Sequence, residues 1–228
     1  MITKLNKKQI NIWSILVGVL LLCTTIFVYW QQTELSKSKQ QQQLEAEAEA
    51  VAGRLEDLLD RTSGITRSLA FVVAQYGMPG SLDSLGAVLL SEHPFIQAVE
   101  LFDKGVVTQV YPIAGNEAIL GYDVMANPKQ QEELRFTIQQ RDFYLAGPLD
   151  LVQGGQGFVG RFPIYKNSEW IGFSAVAIKW EKFLDFAKLD SLHTTEMGYV
   201  VRKQVANQNW QIIYDTRTDS SSQKMAVR

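Results

Sequence analysis

A chain of 228 residues with 46% hydrophobic side chains can bury one full core or two small ones. Its 22 Lys and Arg against 24 Asp and Glu leave a net charge of −2, which supplies no long-range attraction to nucleic acid and excludes it as an expected partner. One cysteine, Cys23, excludes an internal disulfide framework, and its place inside the longest apolar run makes it a lipid-facing or helix-packing residue rather than a reactive thiol.

That run, Ile12 to Trp30, approaches the roughly twenty residues that cross a bilayer and contains no ionisable side chain. Thr24 and Thr25 can bond back to helix carbonyls, and Trp13 and Trp30 stand at the two ends, where indole rings favour the headgroup region. Lys4, Lys7 and Lys8 precede the run while Gln31 and Gln32 follow it. Residues 1–11 are therefore expected in the cytoplasm, 12–30 as a transmembrane helix in the inner (cell) membrane, and everything after about residue 31 in the periplasm or outside the cell. A cleaved signal peptide is the alternative, but its apolar core is normally shorter and no small-x-small site closes the run at Tyr29-Trp30.

Residues 31–76 read as one long stalk helix, rich in glutamine, alanine, leucine and glutamate. After Leu44 the apolar positions Val51, Leu55, Leu58, Leu59, Ile65, Leu69 and Val72 keep close to three-and-four spacing. Before it the surface is polar, so that part has nothing to bury by itself and is expected to be stabilised by a partner helix, as in a homodimer, or by the rest of the domain. A second helix is expected from Ser81, its cap, to Glu92, ended by His93-Pro94. Ile96–Asp103 and Val106–Tyr111 form two apolar strands around the hairpin signal Asp103-Lys104-Gly105. Asn127-Pro128 opens a helix to about Gln140, with Asn127 as its cap and Arg141 at its close.

Strand candidates then follow at Phe143–Ala146, Gly157–Tyr165 and Trp170–Ile178, the last two joined by the polar turn Lys166-Asn167-Ser168-Glu169. Glu181–Leu189 is a short amphipathic helix, and Gly198–Gln204 with Trp210–Asp215 suggests a further hairpin before a polar tail, 216–228. The sum is an α+β fold: an N-terminal transmembrane helix, a long stalk helix, and a PAS-like mixed antiparallel sheet with helices packed around it.

Catalytic chemistry finds little support. His93 and His193 have no metal-ligand neighbour at suitable spacing, so no metal, cofactor or catalytic residue is expected. His193 sits in Ser191-Leu192-His193-Thr194-Thr195, which leaves an exported hydrolase as a remote alternative, without the glycine elbow such an enzyme uses. Gly154-Gly155-Gln156-Gly157 lacks the Lys-Ser/Thr of a phosphate loop. Arg161 interrupts an apolar strand on the face of Val159 and Pro163, opposite Phe158, Gly160 and Phe162. It either lines a cavity, pairing with an anionic ligand or with Asp123, or snorkels at a sheet edge. Tyr144, Phe158, Trp170 and Phe173 either wall a cavity or fill a core.

Tyr111-Pro112-Ile113-Ala114-Gly115-Asn116-Glu117-Ala118-Ile119-Leu120-Gly121-Tyr122-Asp123, then Tyr144-Leu145-Ala146-Gly147-Pro148, then Gly157-Phe158-Val159-Gly160-Arg161-Phe162-Pro163-Ile164-Tyr165 form an order that resembles the CHASE domain, the extracellular sensor of histidine kinases and nucleotide cyclases. The resemblance spans residues 69–215 and is strongest over 110–178. It implies a small-molecule ligand. The spacing from Asp123 to Pro148 matches that of plant cytokinin receptors without a gap; the ligand-contacting acid of those receptors falls on Asp123 and a leucine backbone contact on Leu145. Asp123 is otherwise an ordinary turn acid. The receptors carry a threonine-bearing segment after the proline where this chain has Gln153-Gly154-Gly155-Gln156, so the backbone of Gly154 either faces the ligand or makes a tight turn. Family architecture implies a second membrane crossing and a histidine kinase or diguanylate cyclase output. The chain is therefore expected to be a fragment of such a receptor, or to signal through a partner. The competing expectation is a membrane-tethered binding or assembly protein without signalling output.

Overall fold

The computed structural model describes residues 7–189, 200–206 and 209–215, with side chains from residue 16 onward. His193 and the tail 216–228 lie outside the described residues. The chain divides into two units, Met1–Ala52 and Gly53–Arg228.

The expected transmembrane and stalk segments both lie in helix α1, Lys7–Tyr76, of which residues 7–52 belong to the first unit and 53–76 to the second. From Leu16 to Trp30 its apolar side chains are exposed, and among the described residues this is the one helix long and apolar enough to cross a membrane. Thr24 and Thr25 both donate to the Leu21 carbonyl, at 2.8 and 2.7 Å, so neither hydroxyl needs a partner from outside the helix. The polar stretch that follows is laced by local pairs: Gln41 with Glu45 at 3.0 Å, Gln43 with Glu47 at 3.3 Å, and Lys37 with Glu34 at 3.8 Å. Each contributes a few tenths of a kcal/mol at most.

The second unit is built on a five-stranded antiparallel sheet. Its strands are β1 (Ala98–Asp103), β2 (Val106–Tyr111), β3 (Tyr144–Asp150), β4 (Gln156–Lys166) and β5 (Glu169–Lys179), in the order β2-β1-β5-β4-β3. Helices α2 (Asp83–Glu92), α3 (Gln131–Gln140) and α4 (Trp180–Ala187) surround it, and β6 (Val200–Gln204) pairs with β7 (Trp210–Asp215) as a separate ribbon. Both long hairpins turn where the sequence signals them. Lys104 and Gly105 take φ of 44° and 97°, and Asn167 and Ser168 take 50° and 69°, the paired left-handed residues that let a two-residue turn follow strand twist. Two starts differ from expectation. Ser81 accepts from the Asp83 amide at 3.0 Å but α2 begins at Asp83, and Asn127 accepts from the Lys129 amide at 3.1 Å in a local turn that ends before α3 begins at Gln131. The side-chain bond is satisfied one residue before the N-cap of α2 and three residues before that of α3.

The sheet is buried on both faces. One face carries Phe158, Gly160, Phe162 and Ile164 of β4 with Leu101 of β1, and packs on the end of α1 through Thr62, Thr66, Ala70 and Val73. Phe158 also meets Phe183 of α4 at a centroid distance of 4.5 Å. Thr62 and Thr66 are fully buried because their hydroxyls bond to carbonyls one turn back, at 2.6 and 2.9 Å. Ser174 of β5 donates to the Thr66 carbonyl at 2.6 Å, a direct tie between sheet and helix. Gly160 makes the close approach possible: a Cβ there would lie 2.5 Å from Thr62 Cγ2 and 2.9 Å from a Phe143 ring carbon. Gly160→Ala is expected to destabilise the unit by about 1–3 kcal/mol, read as a lower midpoint in thermal unfolding, because neither neighbour can withdraw from a packed interface.

Candidate functional site

The second face of the sheet carries small residues, Ala98, Ala175 and Ala177, all without solvent exposure, within an apolar cluster that includes Phe102, Leu134, Val159 and Phe173. Strand register places one row across it: Val110 opposite Glu100, Glu100 opposite Ala175, Ala175 opposite Arg161, and Arg161 opposite Tyr144. Two opposite charges thus flank an alanine in the middle of a buried sheet. Glu100 is completely buried and Arg161 is 3% exposed. Among the described residues they form no direct ion pair with each other.

Each charge is held by a neutral amide. Arg161 Nη2 donates to Gln130 Oε1 at 2.8 Å, and Gln153 Nε2 donates to Glu100 Oε1 at 3.3 Å. Glu100 Oε2, Arg161 Nε and Gln153 Oε1 are buried without a hydrogen-bond partner among the described residues. Orphaned polar atoms in a low-dielectric interior cost about 1–3 kcal/mol each, and three of the seven among the described residues belong to this group. Burial raises the Glu100 carboxyl to about 7, against the lowering effects of the Arg161 charge and the Gln153 hydrogen bond. Burial also lowers the Arg161 guanidinium, which Glu100 and Glu133 partly offset.

A cleft of about 340 Å³ opens between the start of α3 and β3, lined by Asn127, Gln130, Glu133, Gly147, Pro148 and Leu149 among others. That volume is at the lower end of the range for small-molecule sites. Gln130 therefore faces the cleft while holding Arg161. Gly147, at φ 116°, has no room for a side chain, since a Cβ would lie 2.6 Å from the Gly157 carbonyl. One wall is a polar chain in which Tyr144 donates to Glu133 at 2.8 Å and Lys203 of β6 lies 3.9 Å from Glu133, 4.8 Å from the Tyr144 ring centre, and donates to the Gly147 carbonyl at 3.0 Å. Burial lowers the Lys203 ammonium, with Glu133 opposing. Burial raises the Tyr144 phenol, helped by Glu133. A further groove of about 310 Å³ runs between the end of α1 and α2, lined by Ile65, Leu69, Val72, Leu85 and Leu89 with Arg61 and His93.

The six residues singled out in the sequence fall in different places. Arg161 and Tyr144 share the charged row. Leu145 pairs with Gly160 and so faces the α1 side, as does Phe158, which is fully buried against Trp180 and Phe183. Gly154 lies in an exposed turn with φ 94°, its amide bonded to the Leu151 carbonyl at 2.9 Å. Asp123 is exposed beside Val106 at the hairpin end of the sheet, and its Oδ1 accepts from the Met125 amide at 2.8 Å, capping the short turn Val124–Ala126. Sequence reasoning missed Glu100, Gln130, Gln153, Glu133 and Lys203. A lone acid at the centre of Ala98-Val99-Glu100-Leu101-Phe102 was the available signal for the first of them.

The fold is similar to solved sensor domains. The "Extracellular ligand binding receptor from Desulfohalobium retbaense DSM5692" matches with a TM-score of 0.56 at 16% identity over 78% of this chain and 34% of that one, so this chain spans about a third of that receptor's length. The extracellular domain of the putative histidine kinase soHK1S-Z6 matches with a TM-score of 0.58 at 12% identity, over 79% of this chain and 72% of that one. The ligand-binding domain of the Campylobacter jejuni chemoreceptor Tlp3, in complex with 4-methylisoleucine, matches with a TM-score of 0.51 at 14% identity, over 81% and 73%. No curated protein matches the sequence. The CHASE domain model matches residues 96–225, more than half of the chain and all five strands of the charged sheet, and the protein belongs to the CHASE domain family.

Proposed function

We propose that this chain is the extracytoplasmic sensing region of a membrane-anchored receptor, and that its ligand sits on the Glu100–Arg161 row beneath Gln130. The single observation that carries the reading is the pair of buried, opposite charges facing Ala175 in one strand row, each with an unpaired polar atom. The Campylobacter domain of similar fold is in complex with a small molecule, which supports a small-molecule partner here. A ligand between β1 and β4 changes the position of β5, which carries Ser174, and of Gly160, which abuts Thr62. Both contacts act on α1, so ligand binding is transmitted as a shift of that helix towards residues 12–30, which we place across the membrane with the N-terminus inside. A useful switch needs the ligand to prefer one arrangement by a few kcal/mol. We further read the sheet as PAS-like, the domain as extending over about residues 69–215, the helix as a homodimer contact, and the output as a histidine kinase or diguanylate cyclase.

Of the residues named from the sequence, Arg161 and Tyr144 enter this site on our reading, and Asp123, Leu145, Gly154 and Phe158 stand away from it. The test is a thermal-shift screen of small polar metabolites against the full chain in lipid nanodiscs. At least one compound is expected to raise the unfolding midpoint of the natural chain and not that of Arg161→Leu, while Asp123→Ala retains the response. A midpoint that no compound moves sinks the sensing reading. The second reading, a tethered assembly protein, is favoured by the exposed Val72, Leu85 and Val88 near the α1–α2 groove, and it predicts that no compound acts.

A further inference from the structure

We infer that the site takes a compact zwitterion, such as a free amino acid, whose anionic group meets Arg161 and whose ammonium meets Glu100. The inference rests on the sensing reading and goes further by naming the chemistry. The two charged side chains rise from β1 and β4, two inter-strand spacings or roughly 10 Å apart at the backbone. Between them stands Ala175, with Ala98 and Ala177 in the adjacent row, so the surface between the charges is made of methyl groups. The unpaired atoms have opposite demands. Arg161 Nε is a donor that needs an acceptor, and Glu100 Oε2 is an acceptor that needs a donor, with Gln153 Oε1 asking for a second one on the same side.

A simple anion answers Arg161 and faces the Glu100 carboxylate with like charge. A simple amine answers Glu100 and Gln153 but leaves the guanidinium unmet. An apolar compound answers neither. A molecule with both groups a few ångströms apart pairs every orphan at once and adds no net charge to the buried site, which is the condition under which buried charges are tolerated. The apolar residues beside the row, Phe102, Val159 and Leu134, then accept an aliphatic side chain. Gln130 is the element that must yield, since its amide oxygen occupies Arg161 Nη2 while its position lines the cleft.

The test is isothermal titration calorimetry on the full chain in nanodiscs with L-valine and γ-aminobutyrate, against isobutylamine, n-butylamine, isovalerate and butyrate, the same carbon frames or close to them with one charge removed. One of the two zwitterions is expected to bind, and loss of either charged group is expected to weaken it by about 10–100-fold. Glu100→Gln, of nearly unchanged volume, is expected to cost a comparable factor towards the zwitterion. Because the ligand series is run on the natural chain, its outcome does not depend on how the variant folds. Binding of single-charge analogues as tightly as the zwitterions overturns the inference. Failure of both amino acids while another class of metabolite binds also overturns it and leaves the sensing reading standing. Failure of every metabolite removes both.

Discussion

Glu100→Gln is expected to make the ligand-free protein more stable at pH 8 by about 3 kcal/mol and to leave it nearly unchanged at pH 4. The native carboxyl stands at about 7 against an ordinary value of 4.5, with burial the largest cause. A raised value means that the folded state holds its proton where the unfolded chain has lost it. Stability contributed by this group is therefore fully present below pH 4.5, falls as pH rises from there to about 7, and is flat above. Glutamine copies the protonated form at every pH, so the variant lacks that decline. Urea or thermal unfolding of both chains at pH 4, 6 and 8 measures it. A natural protein that keeps a carboxylate at the cost of its own stability does so where the charge is used, and substitutions that relieve such a cost commonly impair function.

Arg161→Leu is expected to act in the opposite sense and more strongly, destabilising the protein by about 3–5 kcal/mol at pH 8. The guanidinium is the charge that opposes desolvation of Glu100, and Gln130 loses its donor as well. At pH 4, where Glu100 is neutral in either chain, the loss is expected to shrink. The double variant Glu100→Gln with Arg161→Leu is expected to be more stable at pH 8 than the single Arg161→Leu, because no uncompensated charge remains. That comparison is a coupling measurement between two residues that do not touch. Equal losses at both pH values would show that the arginine matters only through packing.

The local elements were legible because their signals are local. Asp103-Lys104-Gly105 and Lys166-Asn167-Ser168-Glu169 announce tight turns between apolar runs, and the four strands they join run within one or two residues of expectation. What the sequence could not give was the pairing of β1 with β5, which aligns Val99 with Val176 across a long stretch of chain. Without that pairing nothing sets Glu100 and Arg161 in one row. Arg161 stood out as a cation interrupting an apolar strand, and its face relative to Phe158 follows from strand alternation. Glu100 did not stand out, because a single acid in an apolar run reads as one outward-facing position of an ordinary strand. Thr62 and Thr66 were hidden for the complementary reason: they count as polar, yet bury once their hydroxyls bond within the helix. Asp123 drew notice by its neighbours, and the bond it makes is the backbone cap that aspartate favours in turns.

The carboxyl carbon of Glu100, followed by ¹³C NMR through a pH titration with and without pooled low-molecular-weight metabolites, puts the central claim to its most direct test. In the free protein the signal is expected to titrate near pH 7, and with ligand present the midpoint is expected to drop as a donor reaches Oε2. A midpoint near 7 that no metabolite pool displaces would contradict a small-molecule site on this row.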